Sequence, residues 1–89
     1  MRHELEKVLG GELRFLAIET RERLSLTQRE MGRLLEMSES SYSDIETGKN
    51  KCGALTSILI LDMQDDPSEF LERLKIKFAE KYRAEVQAI

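Results

Sequence analysis

From Glu12 to Leu24 the apolar residues fall at Leu13, Leu16, Ala17 and Leu24, with Thr20 in the fourth site. Intervals of three, four and seven put these positions on one side of a helix, so the stretch predicts a core-facing amphipathic helix. Phe15 and Ile18 lie off that stripe. Ahead of it, Leu5, Val8 and Leu9 give residues 2–9 an apolar side, and Gly10-Gly11 reads as a break that sets them apart as a short opening segment. Thr27 followed by Glu30 has the spacing of a capping box, in which hydroxyl and carboxylate satisfy each other's free backbone donors. It opens a second helix presenting Met31, Leu34 and Leu35, which stops near Glu36-Met37. Ser38 caps a third helix whose short buried face is Tyr42 and Ile45, and Gly48 is placed for a left-handed residue that ends it. A fourth helix over about residues 54–63 is apolar almost all round, which makes it either central to the core or shared with a partner. Asp66-Pro67-Ser68-Glu69 then reads as N-cap, proline at the first helical position and carboxylate at the third, and the last helix runs from Pro67 toward Ile89.

Composition narrows this picture without changing it. The 89 residues fit one domain, and 35% charged with 40% hydrophobic residues describes a soluble globular chain. No apolar stretch approaches the roughly 18 residues of a membrane-spanning helix, and MRHELEKVL has no signal-peptide core. With one cysteine, Cys52, no internal disulfide forms, and a cytoplasmic location is expected. One histidine and one cysteine also argue against a zinc site, so no metal and no cofactor is expected.

Two short helices joined by a tight turn, each with a hydroxyl cap, suggest a helix-turn-helix. The string LTQREMGRLLEMSESSYSDIETG, from Leu26 to Gly48, makes the suggestion specific. It resembles the Xre-like family of phage repressor and Cro-type proteins through Thr27, Gln28, Met31, Gly32, Leu35, Met37, Ser38, Ser41, Tyr42, Ser43, Ile45, Glu46 and Gly48. The resemblance implies an all-α, five-helix, lambda-repressor-like helix-turn-helix domain with an extended C-terminal helix. Residues 1–66 would form the core, with the helix-turn-helix unit at about 27–47, and residues 67–89 would be a C-terminal helix of the same domain that serves dimerisation.

The resemblance also distributes roles. It places the third helix, residues 38–47, in the major groove of double-stranded DNA, with Ser38, Glu39, Ser40, Ser43 and Asp44 toward the bases. Gln28 would touch a phosphate, and Arg29 with Lys49, Asn50 and Lys51 would hold the backbone. Arg21 and Glu46 would pair and fix how the third helix projects. Gly32 would sit where the two helices cross, a place that admits only a very small side chain. The implied function is sequence-specific transcriptional regulation of bacterial or phage type, by a homodimer on a palindromic operator.

Charge gives this expectation a rival. Net charge is −3, and from Ser38 to Gly48 there are three acids (Glu39, Asp44, Glu46) and no base, where family members commonly carry Arg, Lys or Gln at two of these places. Glu36 stands at a turn position that is often glycine. The acidic third helix suits a protein-interaction module, antitoxin-like or an adaptor, that keeps the fold but not the DNA contacts. No nucleophile with a base and no metal cluster is visible, so an enzyme is not expected. Cys52 reads as an ordinary loop thiol whose pKa Lys51 would lower.

Oligomeric state is read from the apolar surplus. Phe70, Leu71, Leu74, Phe78, Tyr82, Val86 and Ile89 form a stripe on the last helix, and Ile60 has no obvious place in a monomer. Either the stripe folds back on Leu5, Phe15 and Ile18 or it forms a dimer seam with Ile60. The seam is the reading adopted, with Ile60, Phe70, Leu74, Phe78 and Tyr82 at the interface.

Overall fold

Helix α1, Arg2–Arg23, is the hub of the fold, and three of the four later helices pack on it. Four more helices follow in the computed structural model: α2 (Gln28–Leu34), α3 (Glu39–Glu46), α4 (Ala54–Asp62) and α5 (Pro67–Ala88). The structure describes residues 2–88, with side chains for residues 2–83. The described residues are all helix and connecting turn, as the periodicity predicts. No helix among them is long and apolar enough to cross a membrane.

The expected break at Gly10-Gly11 does not occur, and α1 runs straight through both glycines. Each weakens the helix by about 1 kcal/mol relative to alanine. Packing outweighs that penalty: Val8 and Leu9 lie against the core, and α5 folds back along α1. Three side chains of α5 clasp it there. Arg73 Nε stands 3.1 Å from Glu12 Oε2, Lys77 meets the other oxygen of the same carboxylate, and Lys81 reaches Glu4 at 3.9 Å. Glu12 is therefore a buried carboxylate bridging two cations, a role invisible in its local sequence.

The core gathers Leu13, Leu16 and Ala17 of α1, Met31 and Leu35, Tyr42, Ile60 of α4, and Phe70 and Leu74 of α5. Thr20 is buried among them; its hydroxyl donates to the Leu16 carbonyl at 2.6 Å and accepts from Gln64 Nε2 at 2.9 Å. That exchange ties the turn after α4 back to α1. Leu24, expected on the α1 stripe, is exposed because the helix ends one residue before it.

Three residues assigned to a dimer seam are corrected here. Ile60 is fully buried, and Phe70 and Leu74 are buried in the same core cluster. They complete one chain's interior and cannot meet a partner. Phe78 is half-buried against that core and Tyr82 is exposed. Val86 and Ile89 lie outside the described side chains. The alternative fold-back is also modified: α5 buries Phe70 and Leu74 with Leu13 and Leu16, while Phe15 stays 57% exposed. On α4 the residues left outside are Leu55 and Ile58, 63% and 62% exposed. An apolar run with no polar face cannot announce which side will be covered.

Candidate nucleic-acid interface

The turn between α2 and α3 is built from caps and one close approach. Thr27 Oγ1 accepts from the Glu30 amide at 3.1 Å, and the Thr27 amide donates to Glu30 Oε1 at 2.9 Å, so both halves of the capping box are formed. Ser38 Oγ accepts from the Ser41 amide at 3.1 Å and starts α3. Between the two helices the Met37 amide donates to the Gly32 carbonyl at 2.9 Å. A Cβ on Gly32 would stand 3.0 Å from the Met37 oxygen and 3.2 Å from the Ser38 oxygen. The glycine is required by the backbone of the turn itself. Glu36 takes a left-handed φ of 58°, a conformation that strains an L side chain, and Gly48 takes 81° as α3 ends.

A hydrogen-bond knot fixes the far end of α3. Arg21 Nε donates to Glu46 Oε2 at 2.6 Å and Arg21 Nη2 to Oε1 at 3.1 Å, while Nη1 donates to the Leu26 carbonyl at 3.1 Å. Gln28 Nε2 donates to Glu46 Oε1 at 2.9 Å. The buried Tyr42 hydroxyl donates to Glu46 Oε2 and lies 3.4 Å from the Ala17 carbonyl. One carboxylate thus joins α1, α2 and α3. Burial pushes the Glu46 carboxyl up, but hydrogen bonds from Arg21, Tyr42 and Gln28 hold it below the usual carboxylate range. The Tyr42 phenol is pushed well up, first by burial and then by its bond to Glu46. Arg21 is raised by its hydrogen bond to Glu46. The pairing of Arg21 with Glu46 was expected, whereas the contributions of Tyr42 and Gln28 were not. The i, i+4 spacing of Tyr42 and Glu46 on one helix was the available signal.

With its inner face locked, α3 presents Glu39 and Ser40 to solvent, with Ser43 and Asp44 half-buried beside them. Lys49, Asn50 and Lys51 are exposed in the next loop, which turns back so that the Asn50 amide donates to the Asp44 carbonyl at 3.0 Å. Arg29 is exposed on α2. Two expected contact residues carry internal duties as well. The Ser38 hydroxyl is the α3 cap, and one amide hydrogen of Gln28 is engaged by Glu46. Cys52 is half-buried, and desolvation raises its thiol pKa, opposite to the lowering expected from Lys51 beside it.

Searches of the curated proteins and of the solved structures return no match. A family model described as a helix-turn-helix domain matches residues 8–59, more than half of the chain and the whole stretch from the second turn of α1 into α4. The matched region contains the capping box, the tight turn and the Glu46 knot, and on that match the chain belongs to the helix-turn-helix domain family.

Proposed function

We propose that this helix-turn-helix domain is of the Xre-like kind and binds DNA sequence-specifically as a transcriptional regulator, with α3 in the major groove. The observation that carries the reading is the Glu46 knot. It holds α3 from behind through three elements and leaves Glu39 and Ser40 exposed, with Ser43 and Asp44 half-buried beside them. Lys49, Asn50, Lys51 and Arg29 supply phosphate contacts that set register, and Gln28 adds its second amide hydrogen. Serine hydroxyls donate or accept at base edges, and the carboxylates of Glu39 and Asp44 accept from cytosine N4. Ser38 contributes through its position at the start of the helix.

The protein acts in this reading as a homodimer on a palindromic operator, with recognition helices about 34 Å apart. Pairing uses the exposed Leu55 and Ile58 of α4, since Ile60, Phe70 and Leu74 belong to the core.

Binding to pooled random duplexes at two salt concentrations, with light scattering of the free protein, tests the proposal. Specific and steeply salt-dependent binding by a dimer supports it. A second reading, an antitoxin-like or adaptor module that binds protein, is favoured by the three acids and absence of bases between Ser38 and Gly48. Failure to bind any duplex at low salt, together with a tight protein partner, replaces the first reading by the second.

A further inference from the structure

Helix α1 carries two consecutive glycines that nothing inside the chain demands. Gly10 and Gly11 have ordinary helical backbone, and a Cβ built on either meets nothing within 4 Å. Gly32 is the contrast, since there the neighbouring turn leaves no room. Alanine at 10 or 11 would strengthen the helix, and both glycines instead leave open the space beside them. That space is an open groove of about 660 Å³ between the N-terminal half of α1 and the loop that follows α3.

The groove has a defined chemistry. Leu9, Leu13, Ile45 and Cys52 give it an apolar lining. Lys7, Arg14 and Lys51 also line it, and among the described residues none of the three is in an ion pair. Glu6 is the one carboxylate among its described lining residues, and it pairs outward with Arg2 at 3.2 Å. Three cations outside any ion pair, of which Arg14 also lies over the Phe15 ring at 5.3 Å, around an apolar floor are a local reversal in a chain of net charge −3. The volume lies within the roughly 300–1,000 Å³ of small-ligand sites.

We infer that this groove binds a small amphipathic organic anion, an apolar body bearing one acidic group, seated over Gly10 and Gly11 with its charge toward Lys7, Arg14 and Lys51. The site stands independently of the DNA reading. A consequence that rests on that reading is regulation: Asn50 and Lys51 line the groove and also belong to the proposed phosphate-contacting loop, so a bound anion competes with the DNA backbone for Lys51.

The test titrates the full chain with 8-anilinonaphthalene-1-sulfonate, an apolar fluorophore bearing one sulfonate, beside N-phenyl-1-naphthylamine, which shares the rings but lacks the charge. Saturable binding of one sulfonate probe per chain is expected. Gly10→Leu fills the groove and weakens binding by about tenfold or more, with an unchanged far-UV circular dichroism spectrum and a melting temperature not lowered. Lys7→Gln combined with Arg14→Gln weakens the sulfonate probe by about fivefold and leaves the neutral probe nearly unchanged. Cys52, the single cysteine, gives a second readout, because the bound probe slows its reaction with a thiol reagent. Unaltered probe affinity in Gly10→Leu overturns the site. So does loss of binding in Leu55→Gln/Ile58→Gln, which would put the probe on α4. A chain that takes up the probe in this groove but binds no duplex supports the site and defeats the DNA reading. One that binds duplex but not the probe defeats the site alone.

Discussion

Arg21 and Glu46, 25 residues apart in sequence, meet as a two-pronged guanidinium–carboxylate pair, Nε to Oε2 at 2.6 Å and Nη2 to Oε1 at 3.1 Å. Their side chains are 21% and 9% exposed, so the pair is largely removed from water. It is the link between the hub helix and the far end of α3. Because Gln28 and Tyr42 donate to the same carboxylate, loss of Glu46 takes the shared acceptor from three donor groups at once.

Glu46→Ala is therefore expected to destabilise the fold by about 2–4 kcal/mol, short of the full cost of breaking a wholly buried pair because Arg21 keeps some contact with water. Arg21→Ala leaves the carboxylate with two neutral donors and is expected to destabilise by about 2–3 kcal/mol. Urea denaturation of the variants measures both. Values below about 1 kcal/mol would place the pair with exposed surface bridges instead.

Acid should act through the same group. Although burial raises its pKa, the hydrogen bonds from Arg21, Tyr42 and Gln28 leave the folded Glu46 carboxyl below its unfolded value. Glu30 is lowered too, mainly by its bond from the Thr27 backbone amide. The unfolded chain then binds more protons as these groups titrate, so their stabilisation is fully present above the ordinary carboxylate value of 4.5 and is lost as pH falls through the lowered folded values. Melting temperatures between pH 7 and pH 3 should fall steeply below that point for the native chain. The fall should be shallower for Glu46→Gln, which is less stable at pH 7 but has no proton to gain there.

The turn makes two opposite backbone predictions. Gly32→Ala replaces a poor helix former by the best one, yet its Cβ meets two carbonyl oxygens of the turn at 3.0 and 3.2 Å. It should destabilise by about 1–3 kcal/mol, the cost of forcing atoms into a packed site. Glu36→Gly removes a side chain from a left-handed residue at φ 58° and should stabilise by about 0.5–1 kcal/mol. Thermal melts of the two variants should move in opposite directions.

Local signals in this chain translate well into structure. The capping box at Thr27, the cap at Ser38 and the left-handed Gly48 all depend on residues within a few positions of each other, and each forms as the spacing predicts. The Arg21 and Glu46 contact was legible only through the resemblance, since no local rule joins positions so far apart. What local reading misses is decided by long-range packing. Gly10-Gly11 looks like a break until α5 is laid against α1, and Glu12 looks like a solvated acid until Arg73 and Lys77 arrive from the other end of the chain. Ile60 could not be told from Leu55 or Ile58 in a helix apolar on every side.

DNA recognition predicts a division of labour between Lys51 and Asp44. Lys51 is exposed in the loop after α3, and in the proposed reading its cation would meet phosphate, a contact that carries no sequence information. Lys51→Ala should weaken all duplexes alike and reduce the slope of log affinity against log salt by about one unit. Asp44 is anchored through its backbone carbonyl, which accepts from the Asn50 amide at 3.0 Å and the Thr47 hydroxyl at 3.2 Å. Its carboxylate takes no hydrogen bond or ion pair among the described side chains, so it is free to accept from a cytosine amino group. Asp44→Ala should then erase the preference for one base pair at one position, a discrimination of about 1–3 kcal/mol, while easing the general repulsion from phosphate. Selection from random duplexes with each variant separates the two effects. Glu39→Arg provides the control for charge alone: higher affinity with an unchanged preferred sequence would mark Glu39 as tolerated rather than reading. An equal loss for Lys51→Ala and Asp44→Ala across every sequence would contradict base reading by the acidic helix and leave only electrostatic contact.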